Sequence, residues 1–282
     1  MTSASPKFQV DQVSIHDRGL AYGDGVFETI AVRHHAALNL SAHTRRLHEG
    51  CVALGIPPPD ASALRDAINQ RVATHADDER GVLKVLVTRG EGGRGYQAPI
   101  TANPNVLLEM FPWPATVDAI RQDGAVVGIG PALVSAEPIC PRSKHLNRLP
   151  QVLAANTLQG RPECHELLIR NSLGAIVEGS RCNLFVECNG VVFTPAATAV
   201  SVSGVTRSAA ILLLREMGHT VREFPLSHDL LARADSVFLT NSVIGVWPVR
   251  ALRDLPGGER TAISMDIGRR LLSIMLERNL AA

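Results

Sequence analysis

One proline-rich break divides the strand and helix pattern of this chain into two halves. The residues Phe-Pro-Trp-Pro at 111–114 interrupt an apolar run, and Asp-Gly at 123–124 has the composition of a turn. A length of 282 residues allows one large domain or two domains of ordinary size. We therefore predict a first domain over 1–111, an interdomain linker over 112–124 and a second domain over 125–282.

The first half of the chain combines strands with helices. Three runs rich in apolar and β-branched residues predict strands, at 27–32, 82–88 and 105–111. Ser41 is interpreted as the N-cap of a helix that ends at the Gly-Ile-Pro of 55–57, and a second helix starts at Asp60. The last two strands flank a glycine-rich segment, 89–96. This order of elements indicates an α+β domain.

The second half predicts further strands between helical segments. Its strand-like runs are 125–129, 166–170, 183–187, 191–194 and 236–240. A helix follows Lys144, with Pro150 restricting where its first turn lies, and two others cover 206–217 and 261–278. No repeat of solenoid length is present in the sequence. The whole chain is therefore typical of a two-domain α+β or α/β protein.

Composition argues against several classes of function. The net charge of +1 and the aromatic content of 4% give no basis for a nucleic-acid interface or an anionic membrane surface. No apolar run approaches the ~20 residues of a spanning helix, and the N-terminal residues do not resemble a signal peptide. The five cysteines form no Cys-x-x-Cys pair, which is typical of reduced thiols. We therefore expect a soluble, cytoplasmic protein that acts on a small molecule.

Sequence motifs for nucleotides and metals are missing. The chain has no Gly-x-Gly-x-x-Gly after a predicted strand and no Gly-x-x-x-x-Gly-Lys-[Ser/Thr], and the glycine-rich residues 90–95 match neither spacing. No pair of His or Cys residues has a convincing metal-ligand spacing. His34, His35, His43 and His48 are therefore interpreted as surface or structural residues.

Lysine is rare in this chain, and its rarity draws attention to Lys144. The lysines are Lys7, Lys84 and Lys144, against 25 arginines. A lysine can lose its proton and attack a carbonyl, whereas an arginine effectively cannot. Lys144 is therefore a candidate Schiff-base nucleophile, and a solvated surface lysine is the alternative. Lys84 is equally rare, but its sequence neighbours provide no comparable setting.

Two segments of the second half have the chemistry of a binding site. Glu178 ends a short apolar strand beside a glycine, so its carboxylate can face a pocket; a solvated strand-end acid is the alternative. Residues 203–207, Ser-Gly-Val-Thr-Arg, open a predicted helix, where unpaired N–H groups and the positive dipole end can hold a phosphate. An ordinary Ser or Thr cap would explain the same residues.

Two more segments are compatible with the same kind of site. Arg46 shares a helical turn with the core residue Leu47, so its guanidinium can lie along a buried edge and bond phosphate oxygens. A solvated arginine is the alternative for that position. The segment 240–249 leaves a strand with Thr-Asn-Ser, and hydroxyl and amide groups at a strand end are well placed to line a site.

These motifs, in this order, resemble the fold-type-IV family of enzymes that use pyridoxal 5'-phosphate (PLP). The family includes branched-chain and D-amino acid aminotransferases and 4-amino-4-deoxychorismate lyase. The resemblance covers nearly the whole chain, from Asp-Arg-Gly-Leu-Ala-Tyr-Gly-Asp-Gly-Val-Phe-Glu-Thr at 17–29 to Pro-Val at 248–249. It implies a smaller N-terminal α+β domain, a larger C-terminal pseudo-barrel domain and a homodimer.

The resemblance also implies a role for each candidate residue. Lys144 would be the catalytic residue and form the covalent link to PLP. Glu178 would pair with the protonated pyridine nitrogen, so that the ring can accept electrons. The phosphate would be held by the guanidinium of Arg46, the backbone N–H groups of Val205 and Thr206, and the hydroxyl of Ser242. No metal ion is implied.

Within the family, three segments resemble aminodeoxychorismate lyases in particular, namely 92–96, 144–149 and 240–242. The implied reaction splits 4-amino-4-deoxychorismate into 4-aminobenzoate and pyruvate, a step toward folate, with Lys144 as the base. Phe27, Arg94 and Tyr96 would face the substrate, whose two carboxylates suit an arginine. A solvated hairpin is the alternative for the glycine-rich loop that carries Arg94. An aminotransferase of the same fold for D-amino or branched-chain amino acids is the first alternative. A catalytically silent paralogue that binds PLP or another metabolite is the second.

Overall fold

The segment around Lys144 folds together with the N-terminal part of the chain. The computed structural model describes residues 7–8, 13–74, 80–135, 140, 142–199, 202–261 and 263–282. Two compact units are present: Met1–Trp113 with Ser143–Asn147 and Ala282, and Pro114–Arg142 with Arg148–Ala281. The domain boundary expected at 112–124 stays a prediction, and part of that segment, Val117–Asp123, is a helix.

The first unit is built on one five-stranded sheet. Its elements are β1 (Lys7–Phe8), α1 (Arg18–Tyr22), β2 (Gly25–Arg33), β3 (Ala36–Ala37), α2 (Leu40–Ala53), α3 (Ala61–Ala73), β4 (Arg80–Thr88) and β5 (Asn105–Pro112). The strands lie in the order β1-β5-β4-β2-β3, with β1 and β5 parallel and the other pairs antiparallel. The three strands predicted for this half are confirmed as β2, β4 and β5.

Side-chain capping explains the start of α3 but not the start of α2. Asp60 caps α3 as predicted, and its carboxylate accepts hydrogen bonds from the N–H groups of Ser62 at 3.0 Å and Ala63 at 2.9 Å. The predicted Ser41 cap of α2 is wrong, because the cap residue is Asn39, with a φ of 53°. Asparagine tolerates this left-handed conformation better than most residues, so the helix begins at Leu40.

Alternation along β2 separates the two faces of the first sheet. Val26, Ile30 and Val32 are buried in one core cluster with apolar residues of α2 and α3. Each such aliphatic side chain contributes about 1.5–3 kcal/mol relative to full exposure. Phe27 and Thr29 alternate with these residues, so their side chains lie on the face away from the helices. Both side chains are half-buried.

The second unit is built on a nine-stranded sheet. Its elements are α4 (Val117–Asp123), β6 (Ala125–Val134), α5 (Leu149–Gln159), β7 (Glu166–Asn171), β8 (Ile176–Gly179), β9 (Asn183–Cys188), β10 (Val191–Thr194), α6 (Val205–Glu216), β11 (Thr220–Glu223), α7 (His228–Ala232), β12 (Ser236–Asn241), β13 (Gly245–Leu255), β14 (Gly258–Thr261) and α8 (Asp266–Glu277). The strand order is β11-β10-β9-β12-β13-β6-β7-β8, with β14 beside β13. The predicted strands of this half are confirmed as β6, β7, β9, β10 and β12.

The structure confirms two predicted helices of the second half and corrects the start of the third. The helix predicted over 206–217 is confirmed as α6, and α5 carries Pro150 in its first turn, where proline leaves no helical hydrogen bond unmade. The helix predicted over 261–278 is wrong at its start, because β14 pairs with β13 and α8 begins later. Gly257 and Gly258 have positive φ and reverse the chain between those strands.

The described ranges contain no helix that is both long enough and apolar enough to cross a bilayer. Within the same ranges, no group of three or more His, Cys, Asp or Glu residues is placed to hold a metal ion. All five cysteines lie in the described part of the chain, and each is a free thiol.

Candidate active site

Lys144 lies at the edge of the first sheet. The N–H of Phe27 donates to the carbonyl of Lys144 at 2.8 Å, and the N–H of Leu146 donates to the carbonyl of Gly25 at 2.9 Å. The segment thus pairs with β2 in antiparallel fashion, and residues opposite each other in such a pair share a face. The Lys144 Nζ lies over the Phe27 ring, 4.2 Å from its centroid. The structure therefore brings together the candidate catalytic lysine and a candidate substrate residue.

A second lysine, Lys84, lies over the same aromatic ring. It pairs across the sheet with Thr29, and its Nζ is 5.6 Å from the centroid of Phe27. Its other cross-strand neighbour, Glu109, forms an ion pair with Arg71 at 3.0 Å. The sequence neighbours of Lys84 give no sign of its contact with Phe27, which comes from a distant strand. Two cations share one ring here, which suits a ligand that carries negative charge.

A buried carboxylate, Glu28, fixes Arg46 on the helix side of the sheet. Arg46 donates from Nε to Glu28 Oε1 at 2.7 Å and from Nη2 to Oε2 at 2.5 Å. The Nδ1 of His43 lies 2.7 Å from the same Oε2. Glu28 and His43 are each 1% exposed, and Arg46 is 11% exposed. The predicted position of Arg46 along a buried edge is confirmed, and so is the structural interpretation of His43.

Two basic partners keep Glu28 ionised. Burial alone would raise the pKa of the Glu28 carboxyl, but the charge of Arg46 and the hydrogen bonds of His43 and Arg46 outweigh it and lower the pKa to about 2. The bidentate geometry is the strongest arrangement for an arginine and a carboxylate. The sequence analysis missed Glu28. The available signal was a carboxylate on a predicted strand, followed by His43 and Arg46 three residues apart on one helix face.

The other candidate substrate residues lie on the loop between β4 and β5. Arg94 is exposed, and Tyr96 is 88% exposed, with its ring 5.5 Å from that of Tyr22 on α1. Arg18 of the same helix donates hydrogen bonds to carbonyl groups of this loop. The structure therefore ties the loop to α1. Among the contacts of the described residues, none brings Arg94 or Tyr96 to the ring of Phe27.

In the second unit, Glu178 is buried on β8. It pairs with Ile169 of β7 and is 4% exposed, so the alternative of a solvated strand-end acid is wrong. Gln151 of α5 donates from Nε2 to Glu178 Oε1 at 3.3 Å. Burial of a carboxylate is unfavourable unless hydrogen-bond donors or cations face it. A protonated ring nitrogen is a partner of that kind.

The start of α6 offers hydrogen-bond donors to a ligand. Gly204 is the cap residue of α6, and it has no side chain with which to cap the N–H groups of the first turn, which begins at Val205 and Thr206. A Cβ at position 204 would lie 2.1 Å from Asn183 Oδ1, so any larger residue there would force the Asn183 side chain to move. The buried hydroxyl of Thr206 has no hydrogen-bond partner among the residues that the structure describes. Helix N–H groups beside such a hydroxyl suit a phosphate.

Two asparagines shape the strand ends next to this helix. Asn183 of β9 pairs with Thr240 of β12, and its Nδ2 donates to the carbonyl of Val202 at 3.0 Å. The Oδ1 of Asn241 accepts two backbone N–H groups, both at 2.8 Å, from the turn that follows Ser242. Asn241 stands in the segment that the sequence predicts to line a site, whereas Asn183 was not predicted as a site residue. Their signal was a short polar side chain at a strand end, where it can bond nearby backbone groups.

The chemistry of these residues fits PLP. A phosphate requires donors such as the N–H groups and hydroxyl at Val205 and Thr206. A protonated pyridine nitrogen requires a carboxylate, and Glu178 is one that lies buried. An aldehyde requires a primary amine, and Lys144 provides one beside the ring of Phe27.

The chain is similar in sequence and structure to known proteins. The amino-transferase class IV family model matches residues 25–252. Aminodeoxychorismate lyase of Vibrio harveyi is 31% identical over 255 residues, which cover 88% of this chain and 93% of that protein. D-alanine aminotransferase of Bacillus licheniformis is 29% identical over 245 residues, covering 85% of this chain and 83% of that protein.

Among solved structures, 4-amino-4-deoxychorismate lyase from Pseudomonas aeruginosa matches with a TM-score of 0.86 and 36% identity, covering 95% of this chain and 96% of that chain. This likeness confirms the predicted fold-type-IV class. Enzymes of the family depend on PLP, so the predicted cofactor is confirmed with it. The chain therefore belongs to the class IV aminotransferase family of PLP-dependent enzymes.

Proposed function

We propose that this chain is an aminodeoxychorismate lyase that converts 4-amino-4-deoxychorismate to 4-aminobenzoate and pyruvate. The main support is its likeness to the Pseudomonas aeruginosa lyase, at 36% identity over 95% of this chain. The Vibrio harveyi lyase, at 31% identity, supports the same assignment. The D-alanine aminotransferase relative, at 29% identity, makes transamination the alternative that an experiment must separate.

In this proposal Lys144 is the catalytic residue, and its Nζ carries the proton that the reaction moves. The neutral amine takes the proton from the amine-bearing ring carbon of the substrate. The C–O bond to the enolpyruvyl group then breaks, and the ring becomes aromatic. The Lys144 ammonium returns a proton to the methylene carbon of the departing enolpyruvate, which leaves as pyruvate. Bound PLP supplies an electron-accepting ring that stabilises negative charge at the substrate carbon.

Other residues are proposed to hold the cofactor. Glu178 is assigned to the ring nitrogen, and its 4% exposure supports this, because charge-assisted hydrogen bonds are strong where water is excluded. The phosphate is assigned to Arg46, Val205, Thr206 and Ser242. That part is supported by the Thr206 hydroxyl, which finds no hydrogen-bond partner within the described part of the chain. The bidentate bond to Glu28 sets the direction of the Arg46 guanidinium.

Substrate recognition is assigned to cations and aromatic rings of the first unit. The substrate carries two carboxylates, and Lys84 and Arg94 are proposed to bind them. Phe27 and Tyr96 are proposed to line the space for its ring. Lys84 joins the residues expected from the sequence because its ammonium shares the Phe27 ring with that of Lys144.

A homodimer is part of the proposal, as the family resemblance implies. Three apolar side chains of α5 support it, because exposed apolar patches often mark contacts between proteins. They are Leu149, at 67% exposure, and Val152 and Leu153, each at 48%. Sedimentation as a monomer at the assay concentration would contradict the dimer.

Two assays separate a lyase from an aminotransferase. PLP-loaded protein incubated with 4-amino-4-deoxychorismate is expected to release 4-aminobenzoate and pyruvate in equal amounts. Incubation with D-alanine or a branched-chain amino acid is expected to leave the bound cofactor as PLP. Conversion to pyridoxamine phosphate, without any 4-aminobenzoate, would reject the lyase. Failure of both reactions would favour the silent paralogue.

Replacing Lys84 with methionine tests the assignment of substrate carboxylates. Methionine keeps an apolar stem on Phe27 but removes the charge. We expect KM for 4-amino-4-deoxychorismate to rise about 10–100-fold with a smaller change in kcat, since a hydrogen bond to a charged group contributes about 1.5–3 kcal/mol. Arg65→Met removes a positive charge from an exposed position of α3 and is the matched control. Equal KM values for the two variants would exclude the role of Lys84.

A further inference from the structure

Arg18 is a buried arginine whose donors converge on one loop. It lies in α1 with 4% exposure, and its Nη1 donates to the carbonyls of Gly95 at 3.1 Å and Gln97 at 3.3 Å. Its Nη2 donates to the carbonyl of Tyr96 at 2.8 Å. Three successive carbonyl groups of the loop between β4 and β5 therefore bond a single guanidinium. A buried charge requires such partners, so the loop and the arginine stabilise each other.

The guanidinium is also held from its other sides. Arg18 donates from Nε to Asp24 Oδ2 at 2.9 Å, and the same oxygen accepts from Arg89 Nε at 2.7 Å. The Arg18 Cζ lies 4.8 Å from the centroid of the Tyr22 ring. The Tyr22 hydroxyl accepts a hydrogen bond from the N–H of Gly95 at 3.2 Å. Helix α1 thus provides both a fixed guanidinium and a hydroxyl for the backbone of the loop.

The loop is shaped to meet this arginine while its side chains point outward. A Cβ at Gly92 would lie 2.5 Å from Arg18 Cδ, so glycine is needed for the close approach. Arg94 is nevertheless exposed, and Tyr96 is 88% exposed although its carbonyl bonds a buried group. A surface loop bonded through its backbone to a buried charge presents its side chains in one arrangement.

We propose that Arg18 is a positioning residue for substrate recognition, which holds residues 94–97 so that Arg94 meets a substrate carboxylate in a set orientation. The inference rests on the proposed function for the assignment of Arg94 to the substrate. Arginine suits this task because its planar fork bonds several carbonyl groups at once. Lysine at position 18 would keep the charge opposite Asp24 but would release part of the loop.

Limited proteolysis tests the loop restraint without any substrate. Trypsin cleaves after Arg94 when the loop opens, so the initial rate at the 94–95 bond, mapped by mass spectrometry, reports the open population. We expect Arg18→Lys to raise this rate about 10-fold, and Tyr22→Phe to raise it by a smaller factor. Leu20→Ala changes a side chain of the same helix that is 60% exposed, and it is expected to match the wild type.

Kinetic measurements on the same variants test whether the restrained loop contributes to substrate binding. We expect Arg18→Lys to raise KM about 10-fold while kcat and the amount of bound PLP stay close to wild type. In an Arg94→Gln background the same change should add nothing to KM, because Arg18 acts through Arg94. If Arg18 served only the stability of the fold, Arg18→Lys would lower bound PLP, kcat and stability together. These losses would also appear in the Arg94→Gln background.

Two outcomes would overturn the inference: unchanged cleavage after Arg94 in Arg18→Lys, or a loosened loop with an unchanged KM. If Arg18→Lys does not fold, Tyr22→Phe decides the point by the same measurements, since it removes one hydrogen bond to Gly95. The digest needs no substrate, and KM is measured with whichever amino-bearing substrate the wild type turns over. Failure of the lyase assay is therefore distinguishable from failure of the loop restraint.

Discussion

Lys144→Ala is expected to lower kcat about 10³-fold or more, because the variant lacks both the nucleophile and the base. The fold should persist, since the bonds between this segment and β2 are made by backbone groups that alanine keeps. The lysine side chain is half-buried and lies over the ring of Phe27. Release of 4-aminobenzoate and the amino-acid half-reaction both measure the effect, so the expectation holds for a lyase and for an aminotransferase.

A second variant separates the amine of Lys144 from its charge. Lys144→Arg keeps a cation near the Phe27 ring but cannot release a proton near neutrality, so an equal loss of activity is expected. Borohydride reduction of the PLP-loaded wild type, followed by peptide mapping, should place the pyridoxyl group on Lys144. A pyridoxyl group on another residue, or full activity in Lys144→Arg, would overturn the assignment.

The candidate cofactor residues could be proposed from the sequence because short motifs of suitable chemistry follow one another in the order of the fold-type-IV family. Glu178 precedes a glycine at a strand end, and Thr206 opens a helix after Ser-Gly-Val. Such signals are local and need no knowledge of packing. Strands β2, β4 and β5 were predictable for the same reason, since their apolar and β-branched runs are continuous.

The contacts of the site could not be predicted, because they depend on pairing between segments that are distant in the sequence. Lys144 reaches Phe27 through a backbone pairing that neither local sequence specifies. Lys84 reaches the same ring because it stands opposite Thr29 in the β2–β4 register. A slip of one residue in that register would turn Lys84 to the helix side. The Glu28 side chain can bond Arg46 because alternation along β2 turns it toward α2.

Glu28→Gln is expected to lower the free energy of unfolding by about 3–5 kcal/mol, because it breaks a buried ion pair and leaves a buried cation. Glutamine keeps the shape of the side chain and removes its charge. Arg46 would then face a neutral amide, and His43 would lose a carboxylate that lies 2.7 Å from its Nδ1. Denaturant unfolding of the PLP-free protein at pH 7 measures the difference without a contribution from cofactor binding.

The same cluster predicts how stability depends on pH. The pKa of Glu28 is lowered from its ordinary value of 4.5 to about 2 in the folded protein. The unfolded chain therefore takes up a proton at this carboxyl at higher pH than the folded chain does. The stabilisation from Glu28 is fully present above pH 4.5 and is lost as pH falls from 4.5 to about 2. Wild type should lose stability more steeply than Glu28→Gln across that window.

An exposed ion pair of the same unit is the matched control. Glu109 is 56% exposed and bonds Arg71 at 3.0 Å, so Glu109→Gln should change the free energy of unfolding by less than about 1 kcal/mol. Glu109→Gln should also lose stability at acid pH as steeply as the wild type does. If Glu28→Gln behaved like Glu109→Gln in both measurements, burial of the Glu28 cluster would contribute nothing specific to stability. The 1% exposure of Glu28 and its two basic partners argue for the larger effect.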